Sequence, residues 1–96
     1  MEELKVEVEA ALAEMETALY EARPDAKERM HPRLVGGAVR NAGELLGRAG
    51  LAHDHDLFEM VAKRWEKGYP VDQEYEADVR DLEAEATRAV DQLRTR

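Results

Sequence analysis

Ninety-six residues carrying a net charge of −8 are enough for one small domain with a modest core. The absence of cysteine excludes disulfides, thiolate metal sites and thiol redox chemistry, and the absence of serine removes a second common nucleophile. An acidic surface repels phosphate backbones and anionic lipid, so neither nucleic acid nor membrane is expected as a partner.

The first stretch, Met-Glu-Glu-Leu-Lys, is too acidic and too amphipathic for a signal peptide, and a cytoplasmic location is expected. From there Leu4, Val8, Ala11, Met15, Ala18 and Ala22 step by 4, 3, 4, 3 and 4, the seam of a helix packing on another helix at a shallow angle. Leu12 and Leu19 widen that seam. A thinner stripe of Val6, Ala10, Ala13 and Tyr20 lies opposite and, being largely alanine, reads as helix propensity on a solvent face. Pro24 ends this helix near Ala22 and Arg23, because the residue before a proline is pushed out of the helical region.

Pro24-Asp25 opens a turn or a single helical turn that His31-Pro32 interrupts, and Pro32 suits the first position of a second helix. That helix is expected to run to about Ala49, capped by Gly50, with Leu34, Val35, Ala38, Val39, Ala42, Leu45, Leu46 and Ala49 on its buried face. A third helix, capped by Asp54 or Asp56, buries Leu57, Phe58, Val61, Ala62 and Trp65 and stops at Gly68-Tyr69-Pro70. Asp72 is the expected cap of the last helix, where Tyr75, Val79, Leu82, Ala86, Ala89 and Leu93 repeat the heptad step. Sustained alternation is missing, so no strand is expected and roughly 70–80% of the residues should be helical. The fold expected is all-α: one domain over residues 1–96, an antiparallel bundle of about four helices with long amphipathic terminal helices.

Few residues offer chemistry. Glu28 and His31 have the Glu-x-x-His spacing of a di-iron ligand pair, but no second copy accompanies them. His53 and His55, within His53-Asp54-His55-Asp56, could hold a transition metal; the competing reading is that these polar residues cap a helix. Arg48 and His53 stand in an Arg-x4-His spacing, Arg48-Ala49-Gly50-Leu51-Ala52-His53, which resembles the motif of HEPN domains. That resemblance implies a helical bundle acting as a dimeric ribonuclease, with Arg48 and His53 meeting in a dimer cleft. It spans six residues and departs from the family pattern in having Ala49, not a polar residue, after the arginine.

Gly36, Gly43, Gly47 and Gly50 fall within about 60° of one another on the second helix and mark an edge for close packing, within the chain or at an interface. Together these features predict a non-enzymatic protein–protein interaction module without a cofactor, an adaptor, inhibitor or small subunit, and the short chain favours a homodimer. The alternatives are a HEPN-like ribonuclease or its inactive relative using Arg48 and His53, and a small bundle binding metal through His53 and His55.

Overall fold

Each helix end has to find partners for the backbone groups that its last turn leaves unpaired, and those partners fix the architecture of this chain. The computed structural model describes residues 2–95, which form four α-helices and, among the described residues, no strand. They are α1 (Glu2–Glu21), α2 (Pro32–Arg48), α3 (His55–Lys67) and α4 (Asp72–Arg94), of 20, 17, 13 and 23 residues. Short connections turn each helix back on the one before, giving an all-α antiparallel bundle. Among the described residues no helix is long and apolar enough to cross a membrane.

Helix α1 starts with Glu2 and Glu3 at its positive end, the favourable placement for the helix dipole. Side chains add to the bonds at and just beyond its end: Tyr75 Oη donates to Leu19 O (2.7 Å), Arg23 Nη1 to Tyr20 O (2.9 Å) and Arg29 Nε to Ala22 O (2.8 Å). The segment between α1 and α2 is a series of turns without a helical element. Tyr69 Oη pins it by donating to Met30 O (3.0 Å).

Helix α2 begins at Pro32 with His31 as its cap, whose Nδ1 accepts from Arg33 N (3.2 Å). The Glu28–His31 spacing is therefore a capped turn. At the other end Gly50 has φ +68°, a conformation that L side chains rarely adopt. Gly50 N donates to Gly47 O (3.1 Å) and Leu51 N to Leu46 O (3.0 Å), the paired bonds of a Schellman motif, with Leu51 buried after it. Leu34 departs from expectation: it is 63% exposed, because it lies about 100° away from Val35 on the wheel and outside the buried arc.

Asp54 caps α3 by accepting from Leu57 N (3.0 Å), and its own N–H donates to Glu85 of α4 (2.7 Å). The expected cap at Asp72 is displaced by one residue. Val71 holds the cap position, Asp72 is the first helical residue, and Glu74 accepts the Val71 N–H (3.3 Å), so the carboxylates act through the dipole and a backbone bond. Gln92 clamps the α2–α3 connection to α4 with two bonds to the Ala52 backbone, each 3.0 Å.

The core is continuous. Val8, Leu12, Met15 and Leu19 from α1 meet Val35, Val39 and Leu46 from α2, Phe58, Val61 and Trp65 from α3, and Leu82, Ala86 and Ala89 from α4. Helix α2 packs against α1 and α3, and α1 against α4. Trp65 is fully buried, as its shared face with Phe58 and Val61 predicts. Its indole N–H needs an acceptor in the interior, and Asp78, 2% exposed, supplies one: Trp65 Nε1 donates to Asp78 Oδ2 (3.2 Å). Arg64 Nη1 donates to the other oxygen. Burial raises the Asp78 pKa above its ordinary value, against the pull of the Arg64 charge and its hydrogen bond.

Candidate functional site

The glycine edge separates into three roles once α3 is in place. A Cβ on Gly36 would lie 3.0 Å from Ala62 O and 3.1 Å from Glu66 Cγ. One on Gly43 would lie 3.1 Å from Phe58 Cβ and 3.2 Å from Phe58 Cγ. At these two positions the close packing occurs within the chain. At Gly47 the nearest atom is His53 Cε1 at 3.8 Å, an ordinary contact, and Gly50 forms the turn. Arg40 then spans α2 and α3, bonded to Glu59 (3.0 Å) and in a two-pronged arrangement to Glu66 (2.9 and 3.3 Å).

Below Gly43 and Gly47 this leaves a cleft of about 200 Å³ lined also by His53, His55, Glu44 and Glu59. Two of the sequence's candidate groups thus meet, the glycine edge and the histidine pair. His53 Nδ1 donates to Leu51 O (2.9 Å), since a carbonyl oxygen can only accept. The His53 and His55 rings stand edge to face with centroids 6.3 Å apart, and Phe58 meets His53 in the same way at 5.9 Å. Among the described residues no group of three histidines or carboxylates is placed to hold a metal ion.

Arg48 is on another side of α2. It lines a depression shared with Glu7, Ala10 and Glu14 of α1, about 100° around the helix from the His53 cleft. Within one chain Arg48 and His53 therefore address different surfaces.

A further surface emerges on α1. The six residues Val8, Ala11, Leu12, Met15, Ala18 and Leu19 are buried, and the diametrically opposite line Val6, Ala10, Ala13, Thr17 and Tyr20 faces solvent. Val6 is 63% and Tyr20 64% exposed, two of the most exposed large apolar side chains of the fold. The line steps by 4, 3, 4 and 3, a second heptad seam. On one flank stand Glu2, Glu9 and Glu16, on the other Glu7, Glu14 and Glu21, so every flanking position is glutamate. Partial burial, and then the charge of Glu83 on α4, raises the Glu16 pKa above its ordinary value. At the C-terminal end Arg23 stacks on the Tyr20 ring at 4.1 Å and holds it in place.

Sequence reasoning passed over this face because alanines at its centre read as propensity alone. The signal was in the flanks. A face that only has to be solvated puts charge at its most exposed line, and this helix puts the charge on both sides of that line and leaves the line uncharged. Comparison of the chain with protein-family models, with curated proteins and with solved structures finds no match.

Proposed function

We propose that the chain is a non-enzymatic protein–protein interaction module that binds through the outer face of α1. The observation that carries this reading is the uncharged seam from Val6 to Tyr20 between two rows of glutamate, on a helix whose opposite seam already closes the core. Because the core does not draw on the outer seam, Val6 and Tyr20 are available to a second helix, and the flanking charges would set its identity. Gly36 and Gly43 pack closely against α3 within the chain, which favours this face over the glycine edge as the binding surface.

Site-specific photo-crosslinking tests it. A photoreactive residue placed at Ala13 should capture a protein in the cells that make this chain, and one placed at Met60, an exposed apolar residue on α3, should not. Capture at Met60 alone, or at neither position, would overturn the assignment of the binding face.

A further inference from the structure

Resting on that reading, we infer that the partner of the α1 outer face is an amphipathic helix with a small apolar seam and Lys or Arg along both of its edges. In a two-helix contact the residues beside the seam of one helix face those beside the seam of the other. Here all six such positions, Glu2, Glu7, Glu9, Glu14, Glu16 and Glu21, carry the same sign. A second copy of α1 would set six glutamates against six, so self-pairing through this face is opposed at every flanking position. A basic-edged helix satisfies all six, in either direction, since both rows are alike. Ala10 and Ala13 admit close approach at the centre of the seam, and Val6 and Tyr20 close over its ends. Six exposed pairs of ordinary helix-surface strength amount to roughly a ten- to hundredfold preference for the basic-edged partner.

The test uses the full chain and three synthetic peptides of three heptads each: one with alanine and leucine in the seam and lysine at every flanking position, a shuffled peptide of identical composition, and the first peptide with glutamate replacing lysine. Fluorescence anisotropy should show the lysine-edged peptide binding at least about tenfold tighter than either other, with affinity falling as salt rises. A chain carrying Glu9→Lys, Glu14→Lys and Glu16→Lys should reverse the order and prefer the glutamate-edged peptide. A reversal of preference cannot arise from lost folding, and circular dichroism checks that the helices persist. Equal binding of the shuffled peptide would reduce the effect to bare charge attraction and overturn the inference, as would preference of the parent chain for the glutamate-edged peptide. If Ala13 crosslinks a partner in cells while the lysine-edged peptide fails to bind, the binding face stands and the partner chemistry inferred here falls.

Discussion

Helix α3 meets α2 backbone to backbone and meets α4 through long polar side chains. Against α2, Gly36 and Gly43 bring the two helices so close that a Cβ would touch Ala62 O or the Phe58 side chain at about 3 Å. Against α4, Trp65, Arg64 and Asp78 reach across, and Glu74 adds a second carboxylate 3.8 Å from Arg64. The first contact is made of absent volume, and the second of matched donors and acceptors. A close-packed contact penalises added volume but has no partner to lose, whereas a polar bridge tolerates changes in size and fails when one member is removed. Substitutions that change volume and substitutions that change polarity should therefore separate the two sides of α3.

The largest effect is expected where the two meet. Trp65 fills the space between the contacts and supplies the indole N–H to Asp78. Trp65→Ala should cost about 3–5 kcal/mol in denaturant unfolding, a large part of the stability of a domain this size. Trp65→Phe keeps an aromatic ring but removes the donor and part of the buried volume, and should cost about 2–3 kcal/mol. If the two substitutions proved equally damaging, the hydrogen bond and not the packing would dominate at this position.

Next comes the bridge itself. Asp78→Ala leaves Trp65 Nε1 and Arg64 without their acceptor, a loss of about 2 kcal/mol. Its pH dependence has a definite sign. Burial raises the folded-state pKa above the ordinary 3.8, so the folded state holds this proton more tightly than the unfolded chain does. The contribution of Asp78 to stability is then greatest below the ordinary value and diminishes as pH rises through the window between 3.8 and the raised folded-state value. Asp78→Asn removes that proton equilibrium, so the stability of the parent chain relative to this variant should fall as pH is raised through that window. Thermal melts of both proteins across it measure the difference. A parent chain that gained relative stability with rising pH would mean that Arg64 outweighs burial and holds the carboxyl below its ordinary range.

What the sequence made legible differs between the same two regions. The seams of α1 and α4, the break at Pro24, the Gly50 cap and the burial of Trp65 follow from apolar period and from residues with one preferred conformation. The glycine edge was legible as an anomaly, and only the position of α3 showed that Gly36 and Gly43 are packed, Gly47 is open and Gly50 turns the chain. Asp78 was not picked out, since a carboxylate in a chain with 22 acidic residues looks like one more surface charge. Its place three residues after Tyr75 and four before Leu82 was the available clue, together with an indole that needs an acceptor. Leu34 lies outside the buried arc and the α4 cap lies at Val71, one residue before Asp72, both differences of a fraction of a turn that apolar period alone resolves poorly.

The smallest effects give the sharpest comparison, because one substitution can be made at four places along a single helix. Gly→Ala raises helix propensity by about 1 kcal/mol wherever the site is open. Gly37 has nothing within 4 Å of its virtual Cβ, so Gly37→Ala should show that gain unopposed. At Gly47 the only neighbour is His53 Cε1 at 3.8 Å, and Gly47→Ala should stabilise by nearly as much. At Gly43 the new methyl meets Phe58 Cβ at 3.1 Å. Phe58 is almost wholly buried and has little room to give, so the gain and the overpacking should nearly cancel. At Gly36 the nearest atom is the backbone oxygen of Ala62 at 3.0 Å, which moves only if α3 moves, and Gly36→Ala should destabilise by about 1 kcal/mol net. The order of midpoints in urea should then be Gly37→Ala and Gly47→Ala above the parent chain, Gly43→Ala beside it and Gly36→Ala below. Because the intrinsic term is shared by all four, the spread reads the α2–α3 gap alone. Uniform stabilisation across the series would mean that α3 stands off from α2 in solution, and the tight contact that distinguishes this side of α3 from the other would be lost.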